Sequence, residues 1–215
     1  MITTIKSGNT NCYILSRENM DKYILVDAGT TQDRAFIENL KMSGKLEKIG
    51  LIILTHGHYD HVGYASILQE KFKIPIAMHF GDIEKVSHAS MDFPPAKGFL
   101  SGTIRRLTMR NIQNATYHKF KPDIILDSQS KIVGFPDIKI LHLPGHTQGS
   151  IGIEFDGNLL AGDLVMNILF PSTTWFAENF YLAQDSIRSI CDTSFLRIYP
   201  GHGSPFSGRL LKKLL

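Results

Sequence analysis

Apolar and polar positions change rhythm along the chain in a way that predicts its elements. Ile2 to Lys6, Asn11 to Leu15 and Tyr23 to Val26 are short runs rich in β-branched and apolar residues. The turn signals Gly8-Asn9 and Asp27-Ala28-Gly29 bound them, so antiparallel strands are expected. From Gln32 to Met42 the residues Ala35, Phe36, Ile37 and Leu40 fall near helical spacing, with Ser43-Gly44 as a stop. Ile49 to Leu54 is almost unbroken apolar and too short for an ordinary helix, which predicts a strand covered on both faces. A helix over Val62 to Phe72 and a strand over Ile74 to Met78, with Pro75 near its start, come next. The polar stretch Thr55 to His61 therefore lies between a buried strand and a helix.

In the later half, Ile124 to Leu126, Lys131 to Val133, Ile138 to Leu143, Ile151 to Phe155 and Leu159 to Ala161 are spaced as a meander of strands. A helix from Tyr181 to Ile190, a strand from Leu196 to Tyr199 and a short helix from Ser207 follow. The middle is broken by Pro94-Pro95, while Leu100, Ile104 and Leu107 are spaced for an amphipathic helix. The segment at about 93–122 is expected to be a lid or an arm. Strands and helices in similar order in both halves predict an α/β chain with two sheets face to face and helices outside. A length of 215 residues fits one domain over 1–215.

Composition changes this picture only a little. With 43% hydrophobic and 20% charged residues the chain is neither disordered nor fibrous. No apolar run approaches the ~18 residues of a membrane span. Met1 to Asn11 lacks the basic flank and apolar stretch of a secretory leader, so a cytoplasmic protein without a membrane partner is expected. Cys12 and Cys191 stand far apart outside any C-x-x-C pair, which implies neither a disulfide framework nor a thiolate metal site. The net charge of +3 conceals a basic stretch, Phe93 to Pro122, with six Lys or Arg and no acidic residue. Such a stretch faces an anionic substrate or a polyanion, or is a solvated helix face.

The chemistry is carried by histidine. In Thr55-His56-Gly57-His58-Tyr59-Asp60-His61, residues i and i+2 of an extended segment point the same way, so His56 and His58 can converge on one metal. Asp60 and His61, where the loop enters a helix, can serve a second metal or orient a ligand of the first. Packing seldom needs three histidines and an aspartate so close together. At three later places a strand ends, small residues follow and a metal-binding side chain appears: Pro144-Gly145-His146, Ala161-Gly162-Asp163 and Pro200-Gly201-His202. His56, His58, His61, His146 and His202 with Asp60 and Asp163 exceed the four positions of a structural zinc. They suit two metals that share a carboxylate and leave room for water. His79, His88, His118 and His142 lack a convergent partner in the sequence and are expected to be surface or strand residues.

This arrangement resembles the metallo-β-lactamase superfamily. Its H-x-H-x-D-H motif is matched by His56, His58, Asp60 and His61, followed in the family's order by His146, Asp163 and His202. Asn11 to Leu15, Val26 to Gly29, Pro144 to Ser150 and Tyr199 to Gly203 are also similar to its elements, so the likeness spans nearly the whole chain. The resemblance implies a four-layer αββα sandwich with metals at one edge between the sheets. By position it implies His56, His58 and His146 on one metal, Asp60, His61 and His202 on the other, and Asp163 as the bridge. Asp27 stands where relatives support the metal loop, or is a simple turn aspartate. Asp163 in place of Cys argues against a true β-lactamase, and His58 in place of Glu argues against the di-iron oxygen reductases. Tyr64 stands where many thioesterase members have a second Gly, and little chain follows Gly208. A glyoxalase II-like core without the C-terminal helical domain is expected.

The activity so implied is dinuclear, metal-dependent hydrolysis of an ester, thioester or lactone by a metal-bridging hydroxide. Two divalent ions are expected, zinc favoured, with iron or manganese also suited. Asp60 would orient the hydroxide and carry its proton. The aromatic stretch Phe170 to Phe176 with Phe180-Tyr181, and the basic segment opposite, would wall a small substrate bearing an anionic group. The same aromatics equally suit core packing. Two other activities compete: a mononuclear iron oxygenase resembling the persulfide dioxygenases, on His56, His146 and Asp163, and a phosphodiesterase or nuclease. The last ranks lowest because no extra nucleic-acid domain is evident. The oligomeric state is left open.

Overall fold

A computed structural model describes residues 1–18, 21–98, 102, 103, 105, 106, 109, 112, 115–136 and 138–215. Strands β1 (Ile2–Ser7), β2 (Thr10–Leu15) and β3 (Tyr23–Val26) pair antiparallel, as expected. After helix α1 (Phe36–Met42), strand β4 (Ile49–Ile53) joins parallel to β3. The chain then passes through α2 (Tyr59–Val62) and α3 (Ala65–Phe72) to β5 (Ile76–His79), and through α4 (Ile83–Ser87) to β6 (Ile124–Leu126). These strands make a six-stranded sheet in sequence order, β1 to β6. The second sheet begins with an antiparallel meander of β7 (Lys139–His142), β8 (Ile151–Phe155) and β9 (Asn158–Gly162). A side hairpin of β10 (Val165–Asn167) and β11 (Pro171–Thr173) and helix α5 (Phe180–Ile190) lead to β12 (Arg197–Pro200), parallel to β9, and β13 (Phe206–Ser207).

The period-2 alternation of the strands sorts their side chains into three separate cores. Cys12, Ile14, Leu25, Ile52, Ile76 and Met78 point to a helix-facing core with Phe36, Leu40, Ala65, Leu68 and Val86. Their neighbours Tyr13, Leu15, Ile24, Val26, Leu51, Ile53 and Ala77 point the other way, against Ile140, Ile151, Ile153, Phe155 and Leu160 of the second sheet. Leu159, Ala161 and Ile198 turn outward onto Ala183, Ile187 and Ile190 of α5. The layers are therefore helix, sheet, sheet, helix, the αββα sandwich that the resemblance implies. Burial of each such Ile or Leu contributes about 1.5–3 kcal/mol, so the strands that face cores on both sides hold the architecture.

Several expectations need correction. The helix expected over 62–72 starts earlier, at Tyr59, and is broken after Val62. The Gly63 and Tyr64 N–H groups donate to the carbonyls of Gly29 and Ala28 at 2.7 and 3.1 Å, in place of the acceptors a continuous helix would offer. The first helix begins only at Phe36, because Asp33 captures the N–H groups of Gly8 and Ala35 and holds the preceding residues in turns. Lys131 to Val133 is no strand. Ile132 makes one isolated bridge to Phe135 over a turn in which Gly134 has φ +81° and Val133 is exposed. Ile124 to Leu126 leaves the expected meander and pairs parallel to β5 at the edge of the first sheet. The amphipathic positions Leu100, Ile104 and Leu107 lie outside the described residues. Among the described residues no helix is long and apolar enough to cross a membrane.

Candidate metal centre

The carboxyl ends of β3, β4, β5, β9 and β12 and the β7–β8 turn deliver the polar residues to one edge of the sandwich. The two sheets are tied there directly. Asn11 Nδ2 donates to the carbonyls of Pro200 and Gly203 at 2.9 and 2.7 Å, the Tyr13 hydroxyl donates to Pro200 at 2.6 Å, and the Ile151 N–H donates to Thr55. Gly201 is required at its place, because a Cβ there would collide with Asp163 Oδ1 and lie 2.7 Å from the His61 ring.

All seven expected residues meet at this edge, in three overlapping groups that could hold a metal ion: His56, His58 and His146; His56, His61 and Asp163; Asp60, His61 and His202. His146 Nε2 lies 3.2 Å from His56 Nε2 and 2.9 Å from His58 Nδ1. Asp163 joins the groups, with His61 Nε2 at 3.4 Å, His146 Nε2 at 3.6 Å and His202 Nε2 at 3.3 Å. Asp60 Oδ2 lies 3.2 Å from His202 Nε2 and accepts from the Thr10 hydroxyl at 3.0 Å.

Hydrogen bonds behind the rings decide which nitrogen faces the centre. Nδ1 of His146 donates to the Phe176 carbonyl at 2.6 Å, Nδ1 of His202 to the Asn9 carbonyl at 3.0 Å, and Nδ1 of His61 to Asp27 at 2.7 Å. The Thr55 hydroxyl donates to Asp27 at 2.9 Å and so accepts from His56 Nδ1 at 3.0 Å. In each of these four rings Nε2 is the nitrogen left to face inward, as metal ligation requires. Asp27, at φ +63°, also accepts from the Thr55 N–H; it supports the metal loop and is more than a turn residue.

The donor set fits a cation. Among the described residues, His61 Nε2 and Asp163 Oδ1 are buried and have no hydrogen-bond partner, although they face each other across 3.4 Å within the cluster. Two nitrogens at about 2.0–2.1 Å from a tetrahedral zinc stand about 3.3 Å apart, close to the ring separations found here. Charge points the same way. Burial, reinforced by neighbouring rings, holds His56 and His58 well below the usual imidazole pKa. Burial opposes protonation of His61 and His202 as well, but Asp27, Asp163 and Asp60 outweigh it at His61, and Asp163 and Asp60 raise His202 to about 10. Burial alone would raise Asp60 and Asp163, yet His61 and His202 hold both below the ordinary carboxylate range. Two buried carboxylates that hold protons on adjacent imidazoles make a field that favours positive charge.

A family model described as the metallo-beta-lactamase superfamily matches residues 5–202. The chain belongs to the metallo-beta-lactamase superfamily. It is 30% identical over 212 residues to hydroxyacylglutathione hydrolase GloC of Haemophilus influenzae, covering 94% of this chain and 90% of the relative. To the probable metallo-hydrolase YflN of Bacillus subtilis it is 25% identical over 210 residues, 87% of this chain and 77% of the relative. The solved structure of TTHA1623 in a di-iron-bound form matches with a TM-score of 0.72 at 21% identity, over 100% of this chain and 98% of that one, and shows the shared fold. Family and relatives bear out the expected class, a metal-dependent hydrolase.

Around the centre of this superfamily member, Phe93 lies near the His58 ring, with centroids 6.5 Å apart, and packs on Phe176 at 4.9 Å. The segments are held together by Lys97 N–H to the Trp175 carbonyl and Ala177 N–H to the Pro95 carbonyl, so the start of the basic stretch does stand against the aromatic one. Arg105 donates to the carbonyls of Phe93 and Pro94. An open groove of about 490 Å³ borders Asp60, lined by Gly8, Asn9, Thr10, Thr30, Gln32, Asp33 and Tyr59. Sequence reasoning missed Thr55, Asp82 and the Phe176 and Asn9 carbonyls. It also missed that His79 and His142 stack across the two sheets at 4.0 Å. No motif announces a backbone carbonyl, and the partners of Asp82 lie 25, 65 and 67 positions away.

Proposed function

We propose that the chain is a dinuclear metal-dependent hydrolase of a small ester, thioester or lactone. The observation that carries this reading is the convergence of the four Nδ1-anchored imidazoles of His56, His61, His146 and His202 about Asp163, whose Oδ1 faces His61 Nε2 at 3.4 Å without a hydrogen bond. In this reading His56, His58 and His146 hold one ion and Asp60, His61 and His202 the other, with Asp163 shared; zinc is favoured, and iron or manganese would also suit the donors. When bound, such ions supply Lewis acidity that brings the pKa of a nucleophilic water toward neutrality and polarises a carbonyl. The names of the Haemophilus relative, a hydroxyacylglutathione hydrolase, and of the TTHA1623 structure in a di-iron-bound form support the hydrolytic chemistry and the two ions of this reading.

The protein's own residues supply the rest. Asp60 accepts the proton of the attacking water, its Oδ2 oriented by the Thr10 hydroxyl. Phe93 and Phe176 exclude water above His58 and His146 and receive an apolar acyl group. Among the described residues, the anionic group expected from the basic stretch finds no Lys or Arg lining the groove beside Asp60, where Asp33 is the other charged residue. A neutral leaving group fits that side better. The free thiols Cys12 and Cys191 agree with a reducing, cytoplasmic setting.

The test is reconstitution of the metal-free chain with zinc and, separately, with iron, with metal content measured beside hydrolysis of thioesters, lactones and phosphodiesters and oxygen uptake on a persulfide. Two ions per chain and thioester or lactone cleavage lost on chelation are expected. One iron per chain with oxygen uptake on a persulfide would replace this reading with the oxygenase. Cleavage of phosphodiesters alone would replace it with the nuclease.

A further inference from the structure

Asp82 ends the single 3-10 turn Phe80–Asp82 that joins β5 to α4, and is fully buried. Its Oδ2 accepts the Gly57 N–H and the Thr147 hydroxyl, each at 2.7 Å, and its Oδ1 accepts the Gly149 N–H at 2.9 Å. Gly57 lies between His56 and His58, and Thr147 follows His146. One carboxylate thus binds the two loops whose rings meet within 2.9–3.2 Å. The nearby ammonium of Lys85 pairs instead with Glu178 at 2.7 Å, so the charge of Asp82 is met by three neutral donors from the metal loops. The contact is also close: a Cβ on Gly149 would lie 2.6 Å from the Asp82 carboxyl carbon, and one on Gly57 3.1 Å from Asp82 Cβ. Asp60, His61 and His202 hang on other supports, namely Asp27, Thr10 and the Asn9 carbonyl.

We propose that Asp82 is a positioning residue that sets the spacing between the His56–His58 loop and the His146 loop, and so the metal affinity of that cluster alone. The assignment rests on the hydrolase reading above. Asparagine there would offer one oxygen where two are used, and its amide N–H₂ would face a backbone or hydroxyl donor. The side chains that would touch the ion stay unchanged.

The experiment is a Co²⁺ titration of the metal-free chain, followed by visible absorption, with Asp82→Asn placed in two backgrounds. His202→Ala keeps the first cluster, and His146→Ala keeps the second. The expected result is Co²⁺ binding weakened by about 10- to 100-fold in the first background, the range for loss of a support behind a ligand, and unchanged in the second. Thr147→Val, which removes one of the three donors and leaves the carboxylate, should act in the same direction to a smaller extent, and it carries the test if Asp82→Asn does not fold. Equal loss in both backgrounds, loss only in the second, or a lowered melting temperature with both affinities intact overturns the assignment. An unmodified chain that binds no Co²⁺ overturns the hydrolase reading and this assignment with it; two ions bound with the same affinities whether Asp or Asn stands at position 82 overturn the assignment alone.

Discussion

His56, His58 and His146 make a cluster of buried rings without a carboxylate of their own, and in the metal-free chain all three are held below the usual imidazole pKa, chiefly by burial. Asp60, His61 and His202 differ. Asp60 borders the groove and is 18% exposed, His202 is 15% exposed and His61 is buried, and the carboxylates keep protons on His61 and His202. A cation entering the first cluster replaces close contacts between neutral rings. In the second it replaces protons. On the proposed dinuclear reading, the contrast teaches that one fold edge would build two different wells, one selecting by ligand geometry and the other by charge, with Asp163 within 3.6 Å of both.

The largest effect should come from breaking the link between the clusters. Asp163→Asn is expected to lower hydrolysis about a thousandfold, as loss of several kcal/mol of transition-state stabilisation implies, and to reduce metal content below two ions per chain. Two ions retained with near-normal turnover would mean that the clusters work independently. Asp60→Asn comes next, with a fall in kcat of about 10²-fold or more at full metal loading. Turnover unchanged at verified loading would leave Asp60 as a ligand and remove its proton-carrying role.

Asp27→Asn sharpens the contrast from behind, since Asp27 orients His61 and contacts none of the first cluster's rings directly. It should weaken metal binding at the second cluster by about 10- to 100-fold, read by competition with a chelator, and spare the first. The smallest effect is the pH response. Because His202 titrates at about 10 before metal binds, it is protonated at neutral pH and must lose that proton to ligate. Affinity at the second cluster should therefore rise with pH, by about tenfold per unit for each proton displaced, while the first cluster, already neutral at pH 7, stays flat. Calorimetry in buffers of different ionisation enthalpy, on variants that keep one cluster each, would detect the released protons. Equal release from both clusters would erase the distinction.

Much of this was legible before the coordinates. Tyr23–Val26 and Ile151–Phe155 have the bounds that their apolar patterns predicted, because a strand's period-2 alternation is written in its own residues. The seven converging side chains were legible because histidine and aspartate beside small residues at strand ends have few other uses. The break at Gly63 was not, since it depends on the carbonyls of Ala28 and Gly29, which any residues would supply. The turn at Lys131 to Val133 was misread because an isolated apolar triplet carries no sign of whether a neighbour will pair with it.

The order and type of residues alone determined the layered α/β architecture, the metal-seeking chemistry and the superfamily, since alternation, glycine placement and donor type are local properties of the chain. Tertiary structure alone decided which nitrogen of each ring faces the centre, that the two clusters differ in charge, and that Asp82 joins two loops and Asp27 supports a third group. Those outcomes depend on main-chain atoms and on contacts between segments up to 193 residues apart, and no residue's identity encodes what lies across such a distance.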